Sequence, residues 1–487
     1  MRHPTILISL ATVAMLGAAA GTIGAADTYG SFDETYGDDY QSGDLARLTS
    51  AVNGVTILRG HADDGGAADD GVANSPVFAG DVLKTAVDQR VELQLADGSL
   101  VRLDEASELR VQAFPDPYAE FKDNTILALP DGTVQIVADV RDGETFRIDT
   151  SGATVYLTGS GDYRIEARGD GRTRVYSRQG VAEVAGDGGS VLVRAGQMTE
   201  AWAGAYPAEP RSFNTLQADA FDLWTRDLDR IWQVRQQPAD PSYAGDAAYA
   251  DVPDEVRPYY RELSNNGRWV YVEDYGWSWY PVGVAAGWRP YAEGGWVYGP
   301  NGYFWVANEP WGWAPYHYGR WSHVPTYGWI WSPGRVFAGA WVSWSWGSTY
   351  IGWCPINYWN RPVLYGTPYW GYYGSHCWTF VHYTHISVGN THRYAVPVHR
   401  IGGDLDGRAI SSRPPRVDPR SIRSDADARR EAVRQTRSGR PALDRGLDRR
   451  GGDDAVAGDR ARFRDAEDRF VKRGGRADRV ASLRDGD

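Results

Sequence analysis

Cysteine is nearly absent from this chain, which has two among 487 residues, Cys354 and Cys377. That leaves no material for a disulfide-knit scaffold or a cysteine-cluster zinc site. One bridge between the two is expected if the chain is exported, where no reducing buffer keeps thiols free; the alternative is a pair of buried thiols. Long apolar runs are also missing after the first residues, so no later segment is expected to cross a bilayer, which takes about 20 apolar residues. Base is not in excess, at 51 Lys+Arg against 63 Asp+Glu. The residues from Gly403 onward carry 22 basic against 17 acidic side chains, leaving 29 against 46 on the rest. An acidic body with a mildly basic tail lacks the concentrated basic face of a nucleic-acid binder. Catalytic signatures are missing too: no Gly-x-Ser-x-Gly elbow, His-Glu-x-x-His or phosphate loop is present. No cofactor is expected.

What the chain has in abundance is tryptophan: 18 of its 21 Trp lie between Trp269 and Trp378. They fall in a repeated phrase. Gly267-Arg-Trp-Val-Tyr-Val-Glu-Asp-Tyr-Gly-Trp-Ser-Trp-Tyr-Pro281 matches Gly319-Arg-Trp-Ser-His-Val-Pro-Thr-Tyr-Gly-Trp-Ile-Trp-Ser-Pro333 without a gap, and Gly295–Trp305 is a looser copy between them. Each copy is followed by a closing phrase, Gly287-Trp-Arg-Pro-Tyr291, Gly312-Trp-Ala-Pro-Tyr316 or Gly352-Trp-Cys-Pro-Ile356. Such self-similarity predicts one small unit stacked on itself. Each copy reads as strand, Gly-bearing turn, strand, and Trp277/Trp279 and Trp329/Trp331, two apart, share a strand face.

The N-terminus reads as a signal peptide over 1–26: Arg2 and His3, then an apolar run from Ile6 to Ala20, then Gly24-Ala25-Ala26 before Asp27. An acidic flexible spacer is expected over 27–47. From 48 to 204 the pattern is β throughout, with alternating runs such as Thr145–Thr150 and Arg172–Tyr176. Turn signals fall at Asp97-Gly98, Asp131-Gly132, Asp142-Gly143, Asp170-Gly171, Gln179-Gly180 and Asp187-Gly188. Many short strands so punctuated predict an all-β sandwich or short solenoid, with the stretch His61–Val72 as a surface loop. Its segments Gly80–Thr85, Val91–Ser99, Phe146–Thr150, Val175–Val181 and Ala195-Gly-Gln197, in that order, resemble the FecR-type periplasmic domain. In signalling members of that family the domain follows a membrane helix and relays an outer-membrane receptor's state to a cytoplasmic sigma factor. No such helix precedes it here, so the resemblance implies fold and compartment and not the signalling role.

A connector over 212–237 changes period. Phe221, Trp224, Leu228, Ile231 and Trp232 recur at three- and four-residue steps, which predicts one apolar helical face, with Asp222, Arg226, Asp229 and Arg230 on a solvated side; Pro238 stops it. The β-hairpin repeat domain then runs over 253–400. Together with Phe221-Asp-Leu-Trp-Thr-Arg-Asp227, its Gly-Arg-Trp starts and the Trp-Ala-Pro-Tyr phrase resemble the Trp/Tyr-rich domain of unknown function that follows FecR-like domains in exported bacterial proteins. The tail over 403–487 is dense in Arg, Asp and Gly and is expected to be disordered.

Function is bounded rather than named by these features. Aromatic side chains of this number must supply most of the module's core, since each buries about 150–250 Å², and those left over form a recognition surface. The leading expectation is a non-enzymatic binding or scaffolding protein of the cell envelope, periplasmic and not transmembrane after cleavage, contacting an envelope protein. The alternative is a polysaccharide- or peptidoglycan-binding module using Trp277, Trp279, Trp305, Trp329 and Trp331. A hydrolase is the third reading, and it is poorly supplied: between Gly267 and Arg400 the only acids are Glu273, Asp274, Glu293 and Glu309, whereas a glycosidase needs two carboxylates across a cleft. His376, His382, His385, His392 and His399 lack tight ligand spacing, so no metal is expected.

Overall fold

The computed structural model describes residues 45–60, 68–114, 124–141, 143–236, 247–363, 377–387, 389–401, 411 and 413–416. The expected signal peptide, most of the acidic spacer and most of the tail lie outside these residues. Two corrections come at the margins. Leu45, Ala46 and Arg47, assigned to the spacer, open the first strand, Leu45–Val52. Within the expected loop His61–Val72, the segment Ala68–Gly71 is a strand paired with Val55–Leu58.

The chain is mainly β. From Leu45 to Ser212 its strands form a two-layer sandwich whose layers share one long strand, Asn124–Ala138. The first part of that strand pairs in parallel with Thr145–Thr150 in one layer. Its second part pairs antiparallel with Gly161–Arg168 and Leu100–Leu103 in the other. The change of layer falls at Pro130-Asp-Gly132, read in sequence as a hairpin turn and found here as a mid-strand bend. Pro removes a ladder donor and Gly132 takes φ +116. A Cβ at Gly132 would sit 2.2 Å from Ser107 Oγ, so a side chain there would prevent the crossing. The alternating inward Leu, Val and Ile of both layers make one core that includes Leu48, Ile57, Leu83, Val101, Ile136, Ile148, Ile165 and Val184.

The outer face of one layer carries charge instead of solvent-facing turns, and the connector helix α1 (Ala220–Gln236) covers it. Its start is reciprocal, with Asp222 N–H donating to Asp219 Oδ1 at 2.8 Å and Asp219 N–H to Asp222 Oδ2 at 3.2 Å. Asp222 and Asp229, read as solvated, are the residues that hold the helix down. Asp222 Oδ1 accepts from Arg164 at 2.9 Å and Arg178 at 2.5 Å, and Asp229 pairs with the buried Arg102 at 2.7 Å. Phe221 is buried beneath the Arg164 guanidinium, 5.6 Å from its ring centroid. Ile231, expected inside, is exposed. The helix therefore binds through an acidic stripe beside Phe221 and Thr225, because the sheet face it meets bears arginines.

Beyond α2 (Ala247–Asp251) and α3 (Tyr260–Asn266) come four hairpins. The first joins Gly267–Val272 to Gly276–Pro281, the second Gly294–Gly299 to Gly302–Ala307, the third Tyr318–Val324 to Gly328–Phe337, and the fourth Val342–Trp346 to Tyr350–Pro355. Each holds one directly opposed tryptophan pair: Trp269 with Trp279, Trp296 with Trp305, Trp321 with Trp331, and Trp344 with Trp353. The second member of every pair has 0% exposure. The opening Gly of the repeat makes this possible: a Cβ on Gly267 would lie 2.3 Å from Trp279 Cε2. The first and third hairpins meet at Trp279 opposite Trp331, and the fourth is extended by Thr379–His382. The fourth hairpin is a unit the repeat reading missed, since its closing phrase is itself a strand. The other two closing phrases are an irregular turn at 287–291 and the short helix α4 (Trp313–His317).

The hairpin assembly packs directly on the sandwich. Asn74 Nδ2 donates to the carbonyls of Ala307 and Glu309 at 3.3 and 3.1 Å. Arg47 donates to Asn74 Oδ1 at 2.8 Å and lies 5.2 Å from the Trp313 ring centroid. Phe78 and Phe304 meet edge-on. No helix among the described residues is long and apolar enough to cross a membrane.

Candidate functional site

The repeats place their rings by two rules: the paired tryptophans go inward, and the hairpin ends stay out. Of the seventeen described tryptophans between Trp269 and Trp378, twelve are buried and Trp359 alone is exposed. This overturns the five-ring platform expected from sequence. Trp279, Trp305 and Trp331 are 0% exposed and Trp329 is 7% exposed, so none of the four presents a face to a ligand. Their indoles are tied into the framework: Trp279 Nε1 donates to Leu263 O at 2.8 Å, and Trp331 Nε1 donates to Tyr318 O. Of the five, Trp277 is half-buried, edge-on to Tyr271 at 5.8 Å.

A rim of mostly tyrosine rings remains at the surface. Tyr271 is 61% exposed, Trp359 50% and Tyr327 37%. Tyr327 stacks on Tyr280 at 5.6 Å, and Trp359 lies 5.2 Å from Tyr275 and 5.8 Å from Tyr358. Glu273 and Asp274, in the turn of the first hairpin, are exposed beside Tyr271. Sequence reasoning looked for tryptophan and so overlooked this rim. The clue available was that tyrosine, whose hydroxyl prefers contact with water, precedes the turn glycine in the two clear copies, Tyr275-Gly276 and Tyr327-Gly328.

Several titratable groups are enclosed within the hairpin domain. Glu309 accepts from Trp288 Nε1 at 2.8 Å and from the Tyr316 hydroxyl at 2.9 Å, both at Oε1. Burial pushes its carboxyl up to about 7. Glu293 adds a lesser like-charge effect and pairs with His392 at 3.3 Å. His317 is buried and pushed down to about 3 by desolvation, with Nδ1 bonded to Ala338 O at 2.9 Å. The structure brings Cys354 and Cys377 together but leaves both as free, buried thiols instead of the expected disulfide. Burial pushes the Cys354 thiol up, with Cys377 acting in the same direction. Arg289, half-buried next to them, donates to Cys377 O at 2.7 Å.

Among the late histidines, His382 ends a strand and His385 lies in the 3-10 turn that follows, stacked on Tyr394 at 4.4 Å. His376 lies outside the described residues. Among the described residues no group of three or more His, Cys, Asp or Glu is arranged to hold a metal ion.

Comparison with known proteins agrees with this layout. Residues 81–196 match the family model described as FecR protein, and residues 260–361 match a family of unknown function (DUF6600). No curated protein matches the chain. Two crystal structures of a candidate anti-sigma factor from Parabacteroides distasonis ATCC 8503 share 16% identity with a TM-score of 0.24. Each match covers 27% of this chain and 60% of that chain, so less than two thirds of the solved protein is spanned. The chain carries a FecR domain within its β-sandwich and, after α1, a DUF6600-family domain built on tryptophan-paired hairpins.

Proposed function

We propose that this chain is an exported, non-enzymatic binding or scaffolding protein of the cell envelope, and that its partner is a protein held at the tyrosine-rich rim. The observation that carries the reading is the division of the aromatic residues. The tryptophans are consumed as a rigid core, and Tyr271, Tyr327 and Trp359 are left outward with Glu273 and Asp274 beside them. Large, stiff aromatic rings flanked by charge are the composition of protein recognition surfaces. The FecR match supports an envelope setting and a regulatory or sensing role for the sandwich, and the Asn74 and Arg47 contacts pack the hairpins directly on it.

The test is capture from envelope extract by the full chain and by the double variant Tyr271→Ala/Trp359→Ala. A specific protein retained by the first and at least tenfold depleted with the second supports the proposal. Equal capture by both overturns it. Titration with chitin fragments, glucans and peptidoglycan fragments at millimolar concentration is expected to leave Trp emission unchanged, and a saturable shift would replace a protein partner with a glycan.

A further inference from the structure

The first and third hairpins make a four-stranded sheet whose two edges are finished differently. A sheet edge is a row of unpaired N–H and C=O groups that another strand can extend, unless a bulge, a proline or a covering segment blunts it. The edge at Tyr318–Val324 is blunted. Its register shifts between Tyr318 and Arg320, Ser322 Oγ accepts from Tyr358 N–H at 3.3 Å, and Arg320 donates to Asn360 Oδ1 at 2.8 Å. The edge at Gly267–Val272 is plain. Its pairing runs without a shift from Gly267 opposite Pro281 to Val272 opposite Gly276. Val282 N–H donates to Asn266 O and Tyr275 N–H to Val272 O, each at 2.9 Å, so the even-numbered residues bond toward the hairpin. Ladder bonds alternate along an antiparallel pair, which turns the N–H and C=O of Trp269 and Tyr271 outward. Among the described residues no main-chain group from elsewhere pairs with them. Helix α3 covers one face of the strand, with Tyr260 stacked on Trp269 at 5.0 Å, and leaves Tyr271 61% exposed.

This strand carries one charge of each sign at its two ends. Arg268 is exposed and donates to Gly267 O at 3.3 Å; Asp274, in the turn just past Val272, is exposed too. Among the described residues neither takes part in an ion pair. Tyr271 lies midway, three residues from each.

We propose that Gly267–Val272 is the edge through which two copies of this chain associate, antiparallel, about a two-fold axis at Tyr271. Such an axis keeps every side chain on its own face of the sheet, so a residue can meet itself across it. With Tyr271 on the axis, its N–H and C=O bond their counterparts in the second copy, and Arg268 of each copy stands opposite Asp274 of the other. Both ion pairs close at once, and the four-stranded sheet becomes eight-stranded. Directly opposed side chains touch across a ladder, so the two Tyr271 rings meet and continue the edge-on pair that Tyr271 makes with Trp277 at 5.8 Å. An edge whose opposite charges stand equally spaced about its midpoint is complementary to itself, and that selects a second copy as the occupant. The inference goes beyond the envelope-partner reading, because it rests on main-chain pairing and charge rather than on the rim as a whole.

The experiment measures self-association of the full chain by sedimentation equilibrium, beside Arg268→Asp, Asp274→Arg and the exchange variant Arg268→Asp/Asp274→Arg. Both positions are exposed, and unchanged Trp emission reports that the fold is kept. The wild type is expected to form a concentration-dependent dimer. Each single variant sets like charges opposite each other at both ends and should weaken the dimer at least about tenfold. The exchange variant restores opposite signs and should recover to within about threefold of the wild type. Amide hydrogen exchange at Tyr271 should slow as the wild-type concentration is raised. A monomeric wild type, single variants that associate as tightly as it does, an exchange variant no tighter than the singles, or a Tyr271 amide that exchanges equally fast in monomer and dimer overturns the pairing. Envelope capture by Arg268→Asp, which keeps Tyr271 and Trp359, separates this failure from that of the rim reading.

Discussion

Replacing Glu309 with Gln should change how stability depends on pH more than it changes stability itself. The carboxyl of Glu309 is enclosed by Trp288 and Tyr316, its Oε2 is buried without a hydrogen-bond partner, and Glu293 supplies a like charge nearby. Burial therefore favours the neutral acid and moves its pKa from 4.5 to about 7. The sign follows from which state holds the proton better. The folded chain does, so this contribution is fully present below about pH 4.5, declines as pH rises and is gone above about 7. At about 1.4 kcal/mol per pKa unit, the loss across that window is about 3 kcal/mol. His317 acts in the opposite sense. Its pKa falls from 6.5 to about 3, so the stability it contributes is present above about pH 6.5 and is lost as pH falls toward 3.

The raw profile of the wild type thus mixes two slopes, and the difference between wild type and Glu309→Gln isolates one of them. Gln keeps the acceptor oxygen for Trp288 and Tyr316 and cannot ionise. Urea unfolding followed by Trp emission at pH 5 and pH 8 should show the variant gaining about 2–3 kcal/mol on the wild type between the two. An equal gap at both pH values would mean that the carboxyl ionises normally in the fold, and the account of its burial would be wrong.

The remaining expectations concern packing. Asp222→Ala leaves Arg164 and Arg178 facing each other without their shared acid and should cost about 2–4 kcal/mol, with hydrogen exchange accelerated first along α1. Trp353→Ala, at a fully buried pair position, should cost about 3–5 kcal/mol, whereas Trp359→Ala should stay within about 0.5 kcal/mol in the same denaturation assay. Gly267→Ala forces a methyl against the Trp279 indole and should lower stability by about 1–3 kcal/mol; no change would show that the indole does not lie over that glycine.

Much of this architecture was legible because periodicity survives in the chain. Trp279, Trp305 and Trp331 recur at a constant offset, and the alternating runs between Asp-Gly turns mark the sandwich. What was hidden depends on which surface covers which. Strand alternation shows that Trp277 and Trp279 share a face but not that the third hairpin closes over one end of it, so a ligand platform was read where a core exists. Asp222 and Asp229 looked solvated because acids on a helix usually are. Only the arginines of non-neighbouring strands, Arg102, Arg164 and Arg178, make that stripe the one that faces the sheet. The fourth hairpin escaped notice because Val342 replaces the opening Gly and Gly347-Ser-Thr replaces Tyr-Gly at the turn, while the Trp344–Trp353 pair that defines the unit was kept.

These departures lead to one functional consequence. A domain that commits the second tryptophan of every hairpin pair to its interior has little freedom to reshape around a ligand, since each ring is packed against others and many indoles are fixed to carbonyls. On the reading proposed above, recognition falls to features that need no rearrangement of the core, namely the tyrosine-rich rim. That rim is preformed, so binding there would cost little ordering of the domain itself. The Asn74 and Arg47 contacts carry that rigidity into the sandwich. On that reading, a partner engaged at the hairpins would be held in a set orientation to the FecR domain, as a scaffold requires.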